Sequence, residues 1–159
     1  MKNVLFFLAV FFSCTAMAQS NSVSSMSHDD HKFINTNDFK WMDGPPGLPM
    51  GAKFVVLDGD PSKEGLFTIR AILPAGYKVP AHWHPSTENV TVIEGTLYMG
   101  MGEKLDESKA MALTAGGFTA MQAKTGHYAF TKDGATIQVH AMGPFAITYY
   151  NPADDPRTK

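Results

Sequence analysis

The chain has 159 residues with 13 basic and 15 acidic side chains, and this weak negative charge argues against binding to nucleic acid. A single cysteine excludes a framework of intramolecular disulfides, so stability has to come from a buried core. The length fits one domain that can bury such a core.

The first 18 residues have the pattern of a secretory signal peptide. Lys2 supplies a positive start, residues 4–14 form an apolar run, and Ala16-Met17-Ala18 ends the segment. This pattern predicts cleavage after Ala18 and a secreted or periplasmic mature protein. The apolar run is too short to span a bilayer comfortably, so no stable membrane anchor is expected. The alternative is a lipoprotein lipidated at Cys14, although the residues before it are a poor match for the usual Leu-rich sequence.

Three further regions follow the signal peptide. Residues 19–32 are polar and rich in serine, which predicts a disordered linker. Residues 33–53 carry several aromatic side chains and a turn from Gly44 to Gly47, which predicts an N-terminal arm. The arm would pack its aromatics either on the domain or on a second subunit. Residues 54–157 are predicted to form the domain itself.

From residue 54 onward the sequence predicts one short strand after another. Apolar runs are bounded by Gly, Pro and Asp, and these turn residues recur about every 8 to 12 residues. No segment has a convincing helical period, although residues 103–111 allow one helical turn. The pattern predicts an all-β sandwich or barrel. The predicted strands cover residues 54–57, 66–73, the segment around His82 and His84, 88–101, 118–122, 127–131, 136–142 and 145–150.

The segment from Gly76 to Gly95 places two histidines and a carboxylate at the spacing of metal ligands. His82 and His84 are two residues apart, so on a strand both project from the same face. Glu88 follows four residues later and opens an apolar run. Imidazole nitrogens together with a carboxylate oxygen suit Fe, Mn, Ni, Cu or Zn.

A hairpin turn at Glu94-Gly95 is predicted inside residues 88–101. The turn would place Glu88 opposite Met101, at the end of an apolar face. An unpaired carboxylate in that position would be costly, so a metal is its expected partner. The face would consist of Glu88, Val90, Val92, Leu97, Met99 and Met101.

With these residues the chain resembles the cupin superfamily. The first cupin motif combines a Gly, a His-x-His pair, a Glu and a second Gly, and all five positions match between Gly76 and Gly95. The resemblance implies an all-β jelly-roll barrel, the double-stranded β-helix. It also implies one divalent transition metal, and the ligands would be His82, His84, Glu88 and His127.

The second cupin motif is altered in this chain. Gly116 and His127 match it, whereas Gln122, Lys124 and Thr131 stand where the motif has Pro, Gly and Asn. The fourth ligand is therefore kept while the turn chemistry around it differs. The tail through residue 157 resembles a group of small single-domain bacterial cupins. Many cupins are dimers, so the resemblance also implies a homodimer.

Asp133-Gly134 predicts a second hairpin turn. It would place His140 opposite His127, with Gln138 on the same face, so that all three side chains line the pocket. His140 would then orient a metal ligand, contact the substrate or transfer a proton. The alternative is a histidine whose ring is satisfied by a backbone carbonyl.

Three more side chains are candidates for the pocket. Arg70 lies opposite the apolar face of its strand. It is interpreted either as a solvated or subunit-facing arginine, or as a pocket arginine that would hold a substrate carboxylate. Met99 and Met101 share the face of Glu88 and fit core packing better than copper ligation.

These residues predict a metal-binding cupin that takes a small-molecule ligand. Three histidines and one carboxylate leave about two positions open on a six-coordinate metal. The leading hypothesis is a metal-dependent oxidoreductase of dioxygenase type that acts on a small oxygen-rich molecule. The alternatives are a non-catalytic small-ligand-binding or sensing protein, or a metal-dependent isomerase, lyase or decarboxylase.

Overall fold

The computed structural model describes residues 31–159, and Ile34–Lys159 form one unit. The predicted signal peptide at residues 1–18, with Cys14, lies outside the described residues. Most of the predicted linker at residues 19–32 lies outside them as well. Between residues 31 and 159 there is no helix with the length and hydropathy that a membrane crossing needs.

The described residues form ten β-strands and four short 3-10 helices. The prediction of an all-β protein is therefore confirmed, and the turn expected near residues 103–111 is the 3-10 helix Glu107–Lys109. The strands are β1 Met42–Asp43, β2 Lys53–Asp58, β3 Gly65–Leu73, β4 Lys78–Trp83, β5 Glu88–Met101, β6 Met111–Thr114, β7 Phe118–Met121, β8 His127–Phe130, β9 Ala135–Gly143 and β10 Thr148–Tyr149. The other 3-10 helices are Thr36–Asp38, Pro152–Asp154 and Pro156–Thr158.

All strand pairs are antiparallel, and the sheet curls around a shared interior. Its order is β1-β2-β3-β9-β5-β8-β4-β10, with β6 and β7 also paired to β5. The first half of β5 pairs with β9 and β7, and the second half pairs with β8 and β6. The long strand β5 therefore joins the two halves of the barrel. Apolar side chains from both halves meet inside, among them Val79, Val90, Leu97 and Val139.

The predicted hairpin at Glu94-Gly95 is wrong, because β5 runs through it without reversing. Gly95 has a φ of 76°, and the register with β9 shifts between Val92 and Glu94. The shift is a bulge that bends the strand from one half of the barrel into the other. The extra residue resets the alternation of faces, so Val92 and Leu97 are both buried, at 1% exposure each. Val90, Val92, Leu97 and Met99 of the predicted inner face are therefore buried, although the strand has a bulge where a hairpin was expected.

The predicted hairpin at Asp133-Gly134 is also wrong. Strand β8 pairs with β4 and β5, whereas β9 pairs with β3 and β5, so the two strands belong to different halves. Between β8 and β9 the chain passes from one half of the barrel to the other. In this turn the Thr131 hydroxyl accepts a hydrogen bond from the Gly134 N–H at 3.0 Å. His140 is consequently paired with Thr68 and Asn89 and does not face His127.

The described part of the N-terminal arm packs on the chain's own domain. Strand β1 pairs with β2, and the segment from Gly44 to Met50 lies against the barrel. The Tyr77 hydroxyl donates to the Pro49 carbonyl at 2.6 Å, and the Tyr149 hydroxyl donates to the Gly47 carbonyl at 2.8 Å. Both tyrosines are buried. These two hydrogen bonds fasten residues 44–50, called the strap below, across the barrel.

Candidate metal centre and cavity

Three histidines converge at one end of the interior. His82 is on β4, His84 follows the end of that strand, and His127 opens β8, where it is the register partner of His82. All three are buried, and one ring nitrogen from each lies within 4.8 Å of the others. The prediction that His82 and His84 share a face agrees with ring centroids 4.9 Å apart. The three imidazoles could therefore hold one metal ion.

The backbone fixes the orientation of each ring. The Nδ1 atoms of His82 and His84 each lie 2.7 Å from a backbone carbonyl, of Pro80 and Ala146 respectively. The Nδ1 atom of His127 lies 3.0 Å from the Thr125 carbonyl. A carbonyl only accepts, so each Nδ1 carries a proton, and in the neutral form of each ring Nε2 presents a lone pair. The Nε2 of His127 is buried without a hydrogen-bond partner, which is the arrangement that a metal would complete.

Glu88 approaches this group from the start of β5. Its Oε2 lies 3.4 Å from Nε2 of His127 and 3.8 Å from Nε2 of His84. The side chain is only 13% exposed, because β5 is flanked there by β9 and β7. A carboxylate at this depth needs a cation or strong donors nearby. The donor set of three imidazoles and one carboxylate fits a divalent transition metal.

Burial and neighbouring charges shift the pKa values of these four side chains in different directions. Burial, together with the neighbouring His127 and His84, lowers the pKa of His82 to about 3. Burial also lowers the pKa of His84. Burial opposes protonation of His127 as well, but the Glu88 carboxylate outweighs it and raises the pKa. Burial works against the charge of Glu88, yet its contact with His127 keeps the pKa below the usual value. Without metal, His127 and Glu88 therefore compensate each other.

The metal centre opens into a cavity of about 570 Å³. The side chains of both barrel halves and the strap form its walls, and Met99 is among them. Met101 is the register partner of His127, but it is 56% exposed and does not line the cavity, so its prediction as a pocket residue is wrong.

His140, Gln138 and Arg70 lie on the outer face of the sheet, and their predicted place in the pocket is wrong. The guanidinium of Arg70 donates to Oε1 of Gln138 at 2.5 Å. The amide nitrogen of Gln138 then faces Nε2 of His140 at 3.0 Å. The amide nitrogen of Gln138 only donates, so Nε2 of His140 has to accept. Nδ1 of His140 therefore carries the proton and donates to the Thr68 hydroxyl at 2.8 Å. Arg70 is covered by Phe39, whose ring centroid lies 5.3 Å from the guanidinium carbon.

Several residues of the site carry no recognisable sequence signal. Phe145 stacks on His84 with ring centroids 4.3 Å apart and an interplanar angle of 19°. The carbonyls that orient the histidines belong to Pro80, Thr125 and Ala146. The carbonyl of Ala146 and the ring of Phe145 reach His84 from about 60 residues away in sequence, so only the fold brings them there.

The altered second motif has a left-handed residue at the position of the motif's Gly. Lys124 stands at the position where the motif has Gly, and its φ is 60°, in the left-handed region. Its N–H donates to the His84 carbonyl at 2.8 Å. The turn that leads into His127 is therefore tied to the segment that carries His84, although the residue type is unfavourable for this conformation.

Solved structures with 16% to 19% sequence identity to this chain share its fold, and one of them is a cupin. The polyketide cyclase RemF from Streptomyces resistomycificus is 16% identical with a TM-score of 0.66, over 80% of this chain and 90% of that chain. An RmlC-like cupin from Shewanella frigidimarina is 17% identical with a TM-score of 0.56, over 70% of this chain and 90% of that chain. A candidate acetylacetone dioxygenase from Methylibium petroleiphilum is 19% identical with a TM-score of 0.61, over 79% and 85%. The fold is thus that of the cupin superfamily.

The family model described as domain of unknown function DUF4437 matches residues 9–148. The chain belongs to this family. Among curated proteins, no sequence matches it.

Proposed function

We propose that this cupin is a metal-dependent oxidoreductase of dioxygenase type, with a small-molecule substrate that binds the metal through oxygen. The observation that carries the proposal is the convergence of three Nε2 lone pairs and one carboxylate on the end of a cavity of about 570 Å³. The ligands would be His82, His84, Glu88 and His127. Nitrogen and oxygen donors in this ratio suit Fe, Mn, Ni, Cu or Zn.

A bound ion would supply Lewis-acid activation and, if redox-active, electron transfer to dioxygen. The chain's own residues prepare the site for this chemistry. The three backbone carbonyls hold the Nδ1 protons and keep the rings from rotating. Phe145 covers one face of His84, and apolar side chains form most of the cavity wall.

The second candidate function is a non-catalytic ligand-binding or sensing protein. It is favoured by the lack of a free acid–base group in the described cavity lining beyond the four proposed ligands. The Tyr77 hydroxyl is already committed to the strap, and burial raises its pKa to about 12. A metal-dependent isomerase, lyase or decarboxylase would use the same site without an oxidant. The similar structures include a cyclase, so the cupin fold also serves non-oxidative chemistry.

Metal analysis combined with dioxygen consumption tests the proposal. The wild type, His84→Ala and His140→Ala would be purified without chelators and offered 1,3-diketones, 2-oxo acids and catechols. We expect about one metal per chain and dioxygen uptake with at least one compound for the wild type and His140→Ala, and neither for His84→Ala. Because His140 lies on the outer face, it is the matched control. A metal-loaded wild type that binds these compounds without consuming dioxygen would instead establish the binding protein.

We also propose that the protein is exported. The support is the positive start at Lys2, the apolar run at residues 4–14 and the small residues Ala16-Met17-Ala18. Mass spectrometry of the protein from the cell envelope should show a chain that begins at Gln19. A chain lipidated at Cys14 would be the result that contradicts cleavage after Ala18.

A further inference from the structure

Away from the metal centre, the cavity wall is mostly apolar. Strands of both halves contribute Val79, Val90, Leu97, Ile137 and Val139. The strap adds Leu48, so the covering segment is apolar as well. Within the described residues, this wall offers a ligand a continuous surface of branched aliphatic side chains.

The polar side chains at the rest of the lining are already engaged by the protein. The Tyr77 hydroxyl donates to the Pro49 carbonyl. Asp60 is bonded to Ser62 and paired with Lys63. Arg157 is bonded to Asp155 and to the Ile147 carbonyl. A hydroxyl group placed among the aliphatic side chains of the wall would therefore lose its water without gaining a partner.

We infer that the substrate has an apolar body and carries its oxygen atoms at one end only. This inference rests on the proposed function, since the oxygen-bearing head is placed on the metal. A carboxylate or a pair of neighbouring carbonyl oxygens fits the head, and an aliphatic or aromatic group fits the body. The volume of about 570 Å³ corresponds to about 19 non-hydrogen atoms at the density of liquid water. The expectation of an oxygen-rich molecule is narrowed accordingly, because sugars and polyols do not suit this wall.

A homologous series of alkanoates measures the contribution of the body directly. Binding of butanoate through tetradecanoate to the Zn²⁺-loaded protein would be followed by calorimetry, with 6-hydroxyhexanoate as a hydroxylated probe that has the same carboxylate head and the same chain length as hexanoate. We expect the dissociation constant to fall about fourfold per added methylene until the cavity is full. The compound 6-hydroxyhexanoate should bind more weakly than hexanoate by at least about tenfold. An affinity independent of chain length, or 6-hydroxyhexanoate binding as tight as hexanoate binding, would overturn the inference.

His84→Ala separates this inference from the proposed function. With the metal lost, the whole series should weaken while the dependence on chain length remains, because the body still contacts the same wall. If the variant binds the series as tightly as the metal-loaded wild type, the apolar substrate class stands and the metal-centred function fails. If metal strengthens binding but chain length has no effect, the metal-centred function stands and the apolar substrate class fails.

A filling substitution locates the series inside the barrel. Ala71 lines the cavity from β3, and Ala71→Leu should end the gain in affinity about three carbons earlier than in the wild type. Ala120→Leu makes the same change at an exposed position of β7 and should leave the series unchanged. An equal effect of both variants, or of neither, would contradict binding in this cavity.

Discussion

His127 and His140 are a matched pair of histidines in opposite environments. His127 is on the inner side of the barrel, where its Nδ1 is bonded to a carbonyl and its buried Nε2 has no hydrogen-bond partner. His140 is on the outer face, where Thr68 and Gln138 satisfy both ring nitrogens. The difference shows that an oriented ring with one unsatisfied nitrogen is prepared for a ligand, whereas a fully bonded ring serves the structure.

The largest effect should come from removing one histidine of the pair at a time. His127→Ala should lower the affinity for divalent metal by more than about a hundredfold, because a proposed direct ligand is lost. His140→Ala should leave the affinity within about twofold, since its bonds stay on the outer face. Competition with a fluorescent chelator measures both. Equal losses of affinity in the two variants would contradict the different roles assigned to His127 and His140.

Acid should destabilise the metal-free protein through the inner face. The pKa of His82 falls from 6.5 to about 3 on folding, so the unfolded chain binds more protons between these values. Stability therefore decreases as the pH falls through this window, by up to about 1.4 kcal/mol per pH unit for this one group. His127, whose pKa is raised, is protonated in both states below its unfolded value of 6.5 and adds no slope there.

Denaturant titrations at pH 7, 6 and 5, with chelator present, measure this slope. His82→Gln should reduce it, because the group that takes up the proton on unfolding is gone. Stability that is constant or that increases towards pH 5 would contradict the assignment of a buried, neutral His82.

The outer network should contribute to stability without affecting metal. Gln138→Leu would leave Nε2 of His140 and a nitrogen of Arg70 without their partner. We expect a loss of about 1–3 kcal/mol in the free energy of unfolding and an unchanged metal content. Gln122→Leu, at an exposed position, is the control and should stay within about 0.5 kcal/mol. Metal loss in Gln138→Leu would show that the outer network affects the metal site and would contradict the separation of the two faces.

The smallest effect concerns the turn that precedes His127. Lys124 adopts a left-handed conformation that glycine tolerates without a steric penalty. Lys124→Gly should therefore stabilise the protein by about 0.5–1 kcal/mol and leave metal affinity unchanged. Lys104→Gly, where φ is not in this region, should be neutral or destabilising. A destabilising Lys124→Gly would show that the lysine side chain supports the turn by its contacts.

The sequence predicts the strands and the ligand positions better than it predicts the connections. The alternation of apolar residues identifies the inner face of β5, because burial follows that alternation whether the chain turns or bulges at Gly95. The same glycine cannot reveal which of the two occurs, since the choice depends on β9 and β8, which come later in the chain. The predicted hairpin at Asp133-Gly134 does not form, and the face predicted for His140 and Gln138 is therefore wrong as well.

Distant contacts account for what the sequence misses at the site. His82, His84 and Glu88 are close together in the chain, so a spacing pattern reveals them. Phe145 and the Ala146 carbonyl lie next to His84 because β10, which follows them in the chain, pairs with β4. The polarity of the cavity is likewise a property of two sheet halves packed together, and no single segment displays it.

The strap precedes β2, yet it is part of the cavity wall, so a complete cavity requires residues before the first long strand. A fragment that begins at residue 54 would retain His82, His84, Glu88 and His127, and would have the composition of a complete metal site. It would lack the residues that receive the Tyr77 and Tyr149 hydrogen bonds, and with them one wall of the cavity. In such a fragment both phenols would face an open cleft, so metal binding alone would not report an intact ligand chamber.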